Sequence, residues 1–274
     1  MSDQSRSHDR PVVLVFAGHD PTGGAGIQAD IESLASQGCH AATVITALTV
    51  QNTQTVHEFH AVDPGLAIDQ ANSILADLPI AAIKIGMVGT REMAHAIHTI
   101  LVQHPDLPVI LDPVLRGGGG GSLSDPQLTD AIREELLPIA TLATPNSLEA
   151  RQLSALDNPL SDCANKILAA GCRGVLVTGT HESDDDVVHT LYRPTGGNRV
   201  YRCPRLPGEF HGSGCTLSSA IAGRIARGET LEAAVTHAQE YTWSTLRHAI
   251  RPGKGQQLPD RFYWHPNPGD RADV

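Results

Sequence analysis

The chain alternates short apolar runs with helix-like stretches, and this rhythm constrains its fold more than any other feature. Residues 12–17, 40–46, 80–85, 107–111, 139–143 and 174–178 are apolar or β-branched runs of five to seven residues, a length that suits strands and is too short for helices. Stretches with helical spacing lie at about 25–37, 64–77, 90–103, 125–137, 147–155 and 161–171. Gly38 closes the first of these, and Pro64 sits in a first turn, where its missing N–H has no intrahelical partner to lose. Strand and helix in alternation predict an α/β fold: a three-layer sandwich whose mostly parallel central sheet carries helices on both faces. Beyond Thr178 the rhythm changes. Residues 187–193 and 198–203 flank Pro194-Thr195-Gly196-Gly197 and predict a hairpin, followed by helices over about 214–227 and 230–249. Neither a repeat nor a break in composition divides the chain, so one domain over 1–274 is expected, with residues 1–10 and 251–274 read as mobile tails.

Composition narrows the partners. Hydrophobic residues make up 41%, enough for a core without disulfides. A formal net charge of −10 and only 4% aromatic residues exclude the basic, aromatic surface of a nucleic-acid binder and a footing on anionic membrane. No apolar run reaches the length that spans a bilayer, and the opening MSDQSRSHDRP has no apolar core for a signal peptide. Five cysteines, odd in number and without CxxC spacing, fit reduced thiols and a cytoplasmic location. The expected partner is a small molecule.

Eleven of the 26 glycines fall in three loops. The first, Gly18 to Gly26, contains the G-x-G-x-x-A pattern Gly24, Gly26, Ala29. A dinucleotide fingerprint is disfavoured because the pattern starts six residues beyond the strand and no Asp or Glu lies between Glu32 and Glu58 to hold a ribose. The second is Arg116 with Gly117 to Gly121, close behind Asp112-Pro113-Val114. As a linker it would be floppy; at the end of the 107–111 strand it reads as a lid, with Asp112 placed to hold Mg²⁺.

The third loop, His211-Gly212-Ser213-Gly214-Cys215-Thr216, leads directly into an apolar helix. Backbone N–H groups and the helix dipole make such a start an anion site. It lacks the G-K-[ST] ending of a Walker loop. The same dipole is expected to favour the Cys215 thiolate. Asn146 and Glu149 likewise stand at a helix start after the 139–143 strand, where Glu149 is either a first-turn acid or a reach toward a metal-bound phosphate. The pairs His57/His60 and His95/His98 read as solvated faces because no third ligand stands at suitable spacing. Asp184-Asp185-Asp186 reads as a solvated turn.

Taken in order, Ala17-Gly18 with Asp20-Pro21, Gly23 to Asp30, Ile45 to Thr53, Lys84-Ile85-Gly86-Met87, Asp112-Pro113-Val114, Thr144-Pro145-Asn146 with Glu149, and His211 to Thr216 closely resemble the hydroxymethylpyrimidine/phosphomethylpyrimidine kinases of thiamine biosynthesis. The resemblance runs from about residue 12 to 249 and implies the ribokinase-like fold. It implies that Gly18, Asp30, Gln51, Met87 and Val114 line a pyrimidine pocket, with Gln51 on the polar ring edge and Met87 on the ring face. Gly212, Ser213 and Gly214 would form the anion hole, and Cys215 would take the place of the catalytic base. Asp112 and Glu149 would organise Mg²⁺, and Asn146, Arg116 and Thr178 the ATP phosphates. A homodimer is implied too, while a monovalent-ion requirement is left open. Such an assembly suits phosphoryl transfer, which needs positioning and charge neutralisation more than covalent chemistry.

The chain departs from the family in three places. The lid carries glycines and Arg116 where a Lys is frequent, Thr178 stands where another Lys is frequent, and His19 replaces the usual Thr. Arg116, with His19 or His211, is the expected substitute. The expectation is therefore an ATP-dependent kinase acting on 4-amino-5-hydroxymethyl-2-methylpyrimidine and then on its monophosphate. The alternatives are a pyridoxal kinase of the same fold and a non-catalytic nucleotide- or pyrimidine-binding protein. Cys215 and Gln51-Asn52 favour the pyrimidine, and residues 112–123 hold no Cys to trap an aldehyde.

Overall fold

A computed structural model describes residues 10–115, 126–182 and 185–265. The lid glycines, Arg116 and Asp184 lie outside the described residues. Nine strands form one sheet in the order β3-β2-β1-β4-β5-β6-β7-β8-β9. Its centre is parallel: β2 (His40–Gln51), β1 (Val12–His19), β4 (Ile80–Ile85), β5 (Val109–Leu111), β6 (Leu142–Ala143) and β7 (Val175–Thr178). At the edges β3 (Val56–Ala61), β8 (Asp186–Tyr192) and β9 (Arg199–Pro204) run antiparallel to their neighbours.

Side chains alternate across each strand, and β1 shows what each face covers. Leu14 and Phe16 join the core beneath α2 (Pro64–Asp77), α3 (Arg91–Leu101), α4 (Pro126–Ala131), α5 (Ser147–Ser154) and α6 (Leu160–Ala169). Val13, Val15 and Ala17 join the core beneath α1 (Gly26–Ser36), α7 (Ser213–Ala226) and α8 (Leu231–Arg247). Both faces of β1 are buried, which explains an unbroken apolar run instead of an alternating one.

Three local expectations need correction. The second strand continues past Thr46 to Gln51 and pairs with β3, which carries no period-2 apolar pattern because most of its residues are exposed. The single helix expected over 125–137 is α4, then a π-helical turn at Ile132–Leu136, then a 3-10 turn at Leu137–Ile139. The C-terminal stretch is no loose tail as far as residue 265: Leu258 and Arg261 are buried, and Ile250 bridges Leu258. No helix among the described residues is long and apolar enough to cross a membrane.

Candidate active site

The strand ends of β1, β2, β4, β5, β6 and β7, together with the start of α7, surround a cavity of ≈ 350 Å³, a size that holds a small ligand. Among the residues singled out from sequence, Gly18, Gln51 and Met87 line it from β1, β2 and just beyond β4, and Asn146, Glu149 and Thr178 from the β6 and β7 end of the same sheet edge. Asp112 and Val114 follow β5, the strand between, and Gly212, Ser213, Gly214 and Cys215 line it from the start of α7, which packs on β4 and β5. Met87 belongs to a small apolar cluster with Ala47, Val56, Phe59 and Val114, a surface suited to a flat ring.

The first glycine loop is shaped by Asp20. Its carboxylate accepts hydrogen bonds from the Thr22 amide and hydroxyl (both 2.8 Å) and from the Ala25 amide (2.8 Å). It also takes the Nε2 proton of His211 at 2.9 Å, which ties this loop to the third. Burial alone would raise the Asp20 carboxyl, but the bonds from His211 and Thr22 outweigh it and hold the group below the usual carboxylate range. The two loops also touch through backbone. Gly212, the N-cap of α7, has φ 83°, and a Cβ there would collide with the Gly24 carbonyl. Only glycine gives both the left-handed conformation and the close approach.

His211 also orients Gln51, whose Nε2 is placed 3.3 Å from the His211 Nε2. Two donors cannot face each other, and Asp20 already takes the ring proton. A Gln51 carbonyl turned to that N–H would share the ring proton with Asp20 and leave the amide NH₂ for the cavity. Gln51 then offers a donor to a ring nitrogen.

Asp30 is a correction. It is fully buried beneath the cavity and does not line it. Its carboxylate accepts from Lys84 Nζ at 2.8 Å and from Ser219 Oγ at 2.6 Å. Lys84 is also fully buried, on β4, and Gly86 is required beside it because a Cβ there would lie 2.6 Å from Nζ. Burial would strip the Lys84 proton, but Asp30, Cys215 and Asp112 together push its pKa well above the ordinary value. A lone Lys inside an apolar strand run was the available signal, since a buried ammonium demands a partner.

The thiolate expected at Cys215 is a second correction. Burial pushes the thiol up to about 12; Lys84 and the Gly26 amide lower it, but Asp112 and Asp30 oppose them. The helix start does not overcome that surrounding, so the resting group is a thiol. Its S–H bonds to Asp112, whose own carboxyl is raised by burial against the pull of Lys84. Ser218 Oγ donates to Asp112 as well, at 3.2 Å.

At the far end, Asn146 and Glu149 form a capping box on α5. The Asn146 carbonyl accepts from the amides of Leu148 and Glu149, both at 3.0 Å, so its Nδ2 is what it can offer a phosphate. Glu149 accepts from the amides of Asn146 (2.9 Å) and Leu115 (3.3 Å). No Lys or Arg is among the described residues lining the cavity, although His19, His181 and His211 are there. The sequence reading missed His181, Phe210 and Gln256, which line it from loops without a motif of their own.

Arg261 closes the far side of the first loop. It donates to Thr216 Oγ1 at 3.0 Å, to Glu32 at 2.9 Å, and to the carbonyls of Gly23 and Gly24. One buried guanidinium thus joins the first loop, α1 and α7.

The match to a family model settles which kinases share this layout: residues 20–260 fit the model described as phosphomethylpyrimidine kinase. The chain belongs to the phosphomethylpyrimidine kinase family. The hydroxymethylpyrimidine/phosphomethylpyrimidine kinase of Staphylococcus aureus (strain MSSA476) is 32% identical over 92% of this chain and 93% of its own. The thiamine biosynthesis bifunctional protein ThiED of Geobacter sulfurreducens is 35% identical over 90% of this chain, which spans 51% of that longer protein. Among solved structures, the ADP complex of Bacillus subtilis pyridoxal kinase superposes with a TM-score of 0.84 at 26% identity, covering 93% of this chain and 98% of that one. Phosphomethylpyrimidine kinases and pyridoxal kinases thus share one ribokinase-like frame, and the residues in the cavity must tell them apart.

Proposed function

We propose that the protein transfers the γ-phosphoryl group of ATP to the hydroxymethyl group of 4-amino-5-hydroxymethyl-2-methylpyrimidine, and then phosphorylates the monophosphate, in thiamine biosynthesis. The observation that carries this reading is one cavity lined together by Gln51 and Met87, by Asn146 and Thr178, and by the Gly212–Gly214 turn at the start of α7. Acceptor and donor can thus meet over an anion hole. Gln51 donates to a ring nitrogen, Met87 and Val114 pack on the ring, and Gly18 leaves room for it. The backbone amides of Gly212, Ser213 and Gly214 hold the transferring phosphoryl oxygens as charge redistributes over them.

Cys215 stands beside the hole as a thiol hydrogen-bonded to Asp112. In the reaction the alcohol oxygen bonds to phosphorus, the phosphorus–oxygen bond to ADP breaks, and the alcohol proton passes to sulfur as the thiol proton passes to the Asp112 carboxylate. Late proton transfer of this kind suits a loose transition state.

The hard oxygen donors of Glu149 fit Mg²⁺, which is commonly held by one or two carboxylates and substrate phosphates, whereas Asp112, which takes the Cys215 proton, would meet the ion only through water. Mg²⁺ would neutralise charge on the ATP phosphates. Glu149, whose two oxygens already accept backbone amides, would meet such an ion through water. Asn146 Nδ2 and Thr178 contribute donors for the nucleotide phosphates. A cytoplasmic location, supported by five free cysteines, and a homodimer, supported by the family resemblance, complete the proposal.

ATP turnover with hydroxymethylpyrimidine and with pyridoxal, in the wild type and Cys215→Ala, tests it. Turnover of the pyrimidine, a mass spectrum showing mono- and diphosphate, and a fall in kcat of about 10²–10⁴ in the variant are expected. Preferred turnover of pyridoxal would establish the second reading, which the superposition on a pyridoxal kinase favours. Binding without turnover of either would leave a non-catalytic protein.

A further inference from the structure

We propose that His95, His98 and Glu135 form a binding site for a borderline divalent transition-metal ion of the zinc or cobalt type, separate from the ATP site. Helix α3 buries Met93, Ala94, Ile97 and Ile100 against the sheet, which leaves His95 and His98 on its outer side. Three residues apart, they lie one turn from each other on the same face. Their rings stand 6.5 Å apart, centre to centre.

The third ligand was invisible in the sequence because it comes from a distant segment. Glu135 belongs to the π-helical turn Ile132–Leu136, whose two ends are buried in the core. The wider turn carries an extra residue, a distortion frequent at functional sites. Arg133 in the same turn is fixed by a bond to the Leu153 carbonyl at 2.8 Å. So anchored, the turn brings Glu135 Oε2 to 3.0 Å from His95 Nδ1.

One donor atom from each of the three residues lies within 4.8 Å of the others. A tetrahedral ion with bonds of about 2.1 Å places its ligands ~3.4 Å apart, so small side-chain rotations close the set. Two imidazoles and one carboxylate suit Zn²⁺ or Co²⁺ and disfavour Mg²⁺, which takes oxygen ligands. His95 is exposed, which gives an ion its entry path and leaves a position for water. None of the three residues lines the cavity. A bound ion would cross-link α3 to the π turn and stabilise the folded chain, because the unfolded chain does not hold the three ligands together.

Titration of the untagged chain with Co²⁺ tests the site in the wild type, His98→Gln and Glu135→Gln. The expected result is one ion per chain with weak ligand-field bands, a raised Tm, and binding weaker by about tenfold or more in each variant. ATP turnover should be unchanged in both variants, showing that they fold. Absence of binding by the wild type at millimolar Co²⁺, equal binding by the variants, or a strong thiolate charge-transfer band (which would place the ion on cysteine) would each overturn the proposal.

Discussion

Around the first glycine loop, the polar groups of the cavity wall are tied to other parts of the protein: Asp20 to His211, His211 to Gln51, Arg261 to Gly23, Gly24 and Thr216. Around Asn146, Thr178 and His181, the wall is held mainly by its own backbone, with Asn146 and Glu149 capping α5 and Thr178 bonding to the Pro145 carbonyl at 2.9 Å. The first region is cross-linked chiefly by side chains from distant segments, the second chiefly by backbone groups. The difference shows how a single sheet edge can brace one end of a cavity through long-range side-chain bonds and the other through backbone groups.

The strongest way to break the rigid end is Gly212→Ala. The new methyl group would force Gly24 away and distort the anion hole, so kcat should fall by about 10² to 10³. Steady-state kinetics with saturating ATP would show it, and a variant with near-normal kcat would refute the backbone joint.

Arg261→Ala should come next. It unties three segments at once and leaves Glu32 and two carbonyls without their partner, for a loss of roughly 2–4 kcal/mol. Denaturant unfolding measures the loss. The pyrimidine KM should rise while the ATP KM holds, and an equal rise in both would erase the contrast between the two ends.

Acid separates the regions further. His189, on β8 and paired in register with Thr178, is held down at about 4 by burial, which the neighbouring Gln239 only partly opposes. Its folded pKa lies below the unfolded value near 6.5, so the unfolded chain takes the proton first. The stability of this edge is full above about pH 6.5 and falls as the pH drops toward 4. Asp20 has the same sign at a lower pH: its depressed carboxyl keeps its contribution until the pH falls below the unfolded carboxylate value. Hydrogen exchange at pH 5 should therefore loosen β8 and its contact with α8 before the first loop. In His189→Leu the fall in Tm from pH 7 to 5 should be smaller than in the wild type; equal slopes would remove His189 from the account.

The smallest effect is expected from Thr178→Lys, which adds a cation where the cavity wall has none among the described residues. The ATP KM should drop by about threefold, with the gain fading in high salt. A KM indifferent to the change would mean that the phosphates do not approach Thr178.

Much of this was legible in the chain. Runs such as 12–17 and 80–85 announced strands buried on both faces, and glycines before Cys215 announced a helix start facing a ligand. What escaped were properties that arise only when distant residues meet. Asp30 looked like a pocket residue because its motif neighbours are; only the fold shows Lys84 buried against it. The Cys215 thiol was judged from the helix dipole alone, whereas burial and two carboxylates decide its charge. Arg261 sits in a Pro- and Gly-rich stretch that reads as loose, and no local pattern could disclose a bond partner more than two hundred residues away.

That last contact also sets an order of events during synthesis. All six parallel strands and the three helices of the anion-hole layer, α1, α7 and α8, precede Arg261 in the chain and leave the ribosome before it does. A nascent chain can thus assemble its sheet while the first loop still lacks its clamp. The rigid end of the cavity is finished by a side chain that emerges only after every strand and α-helix among the described residues, which makes closure of the first loop follow assembly of the sheet.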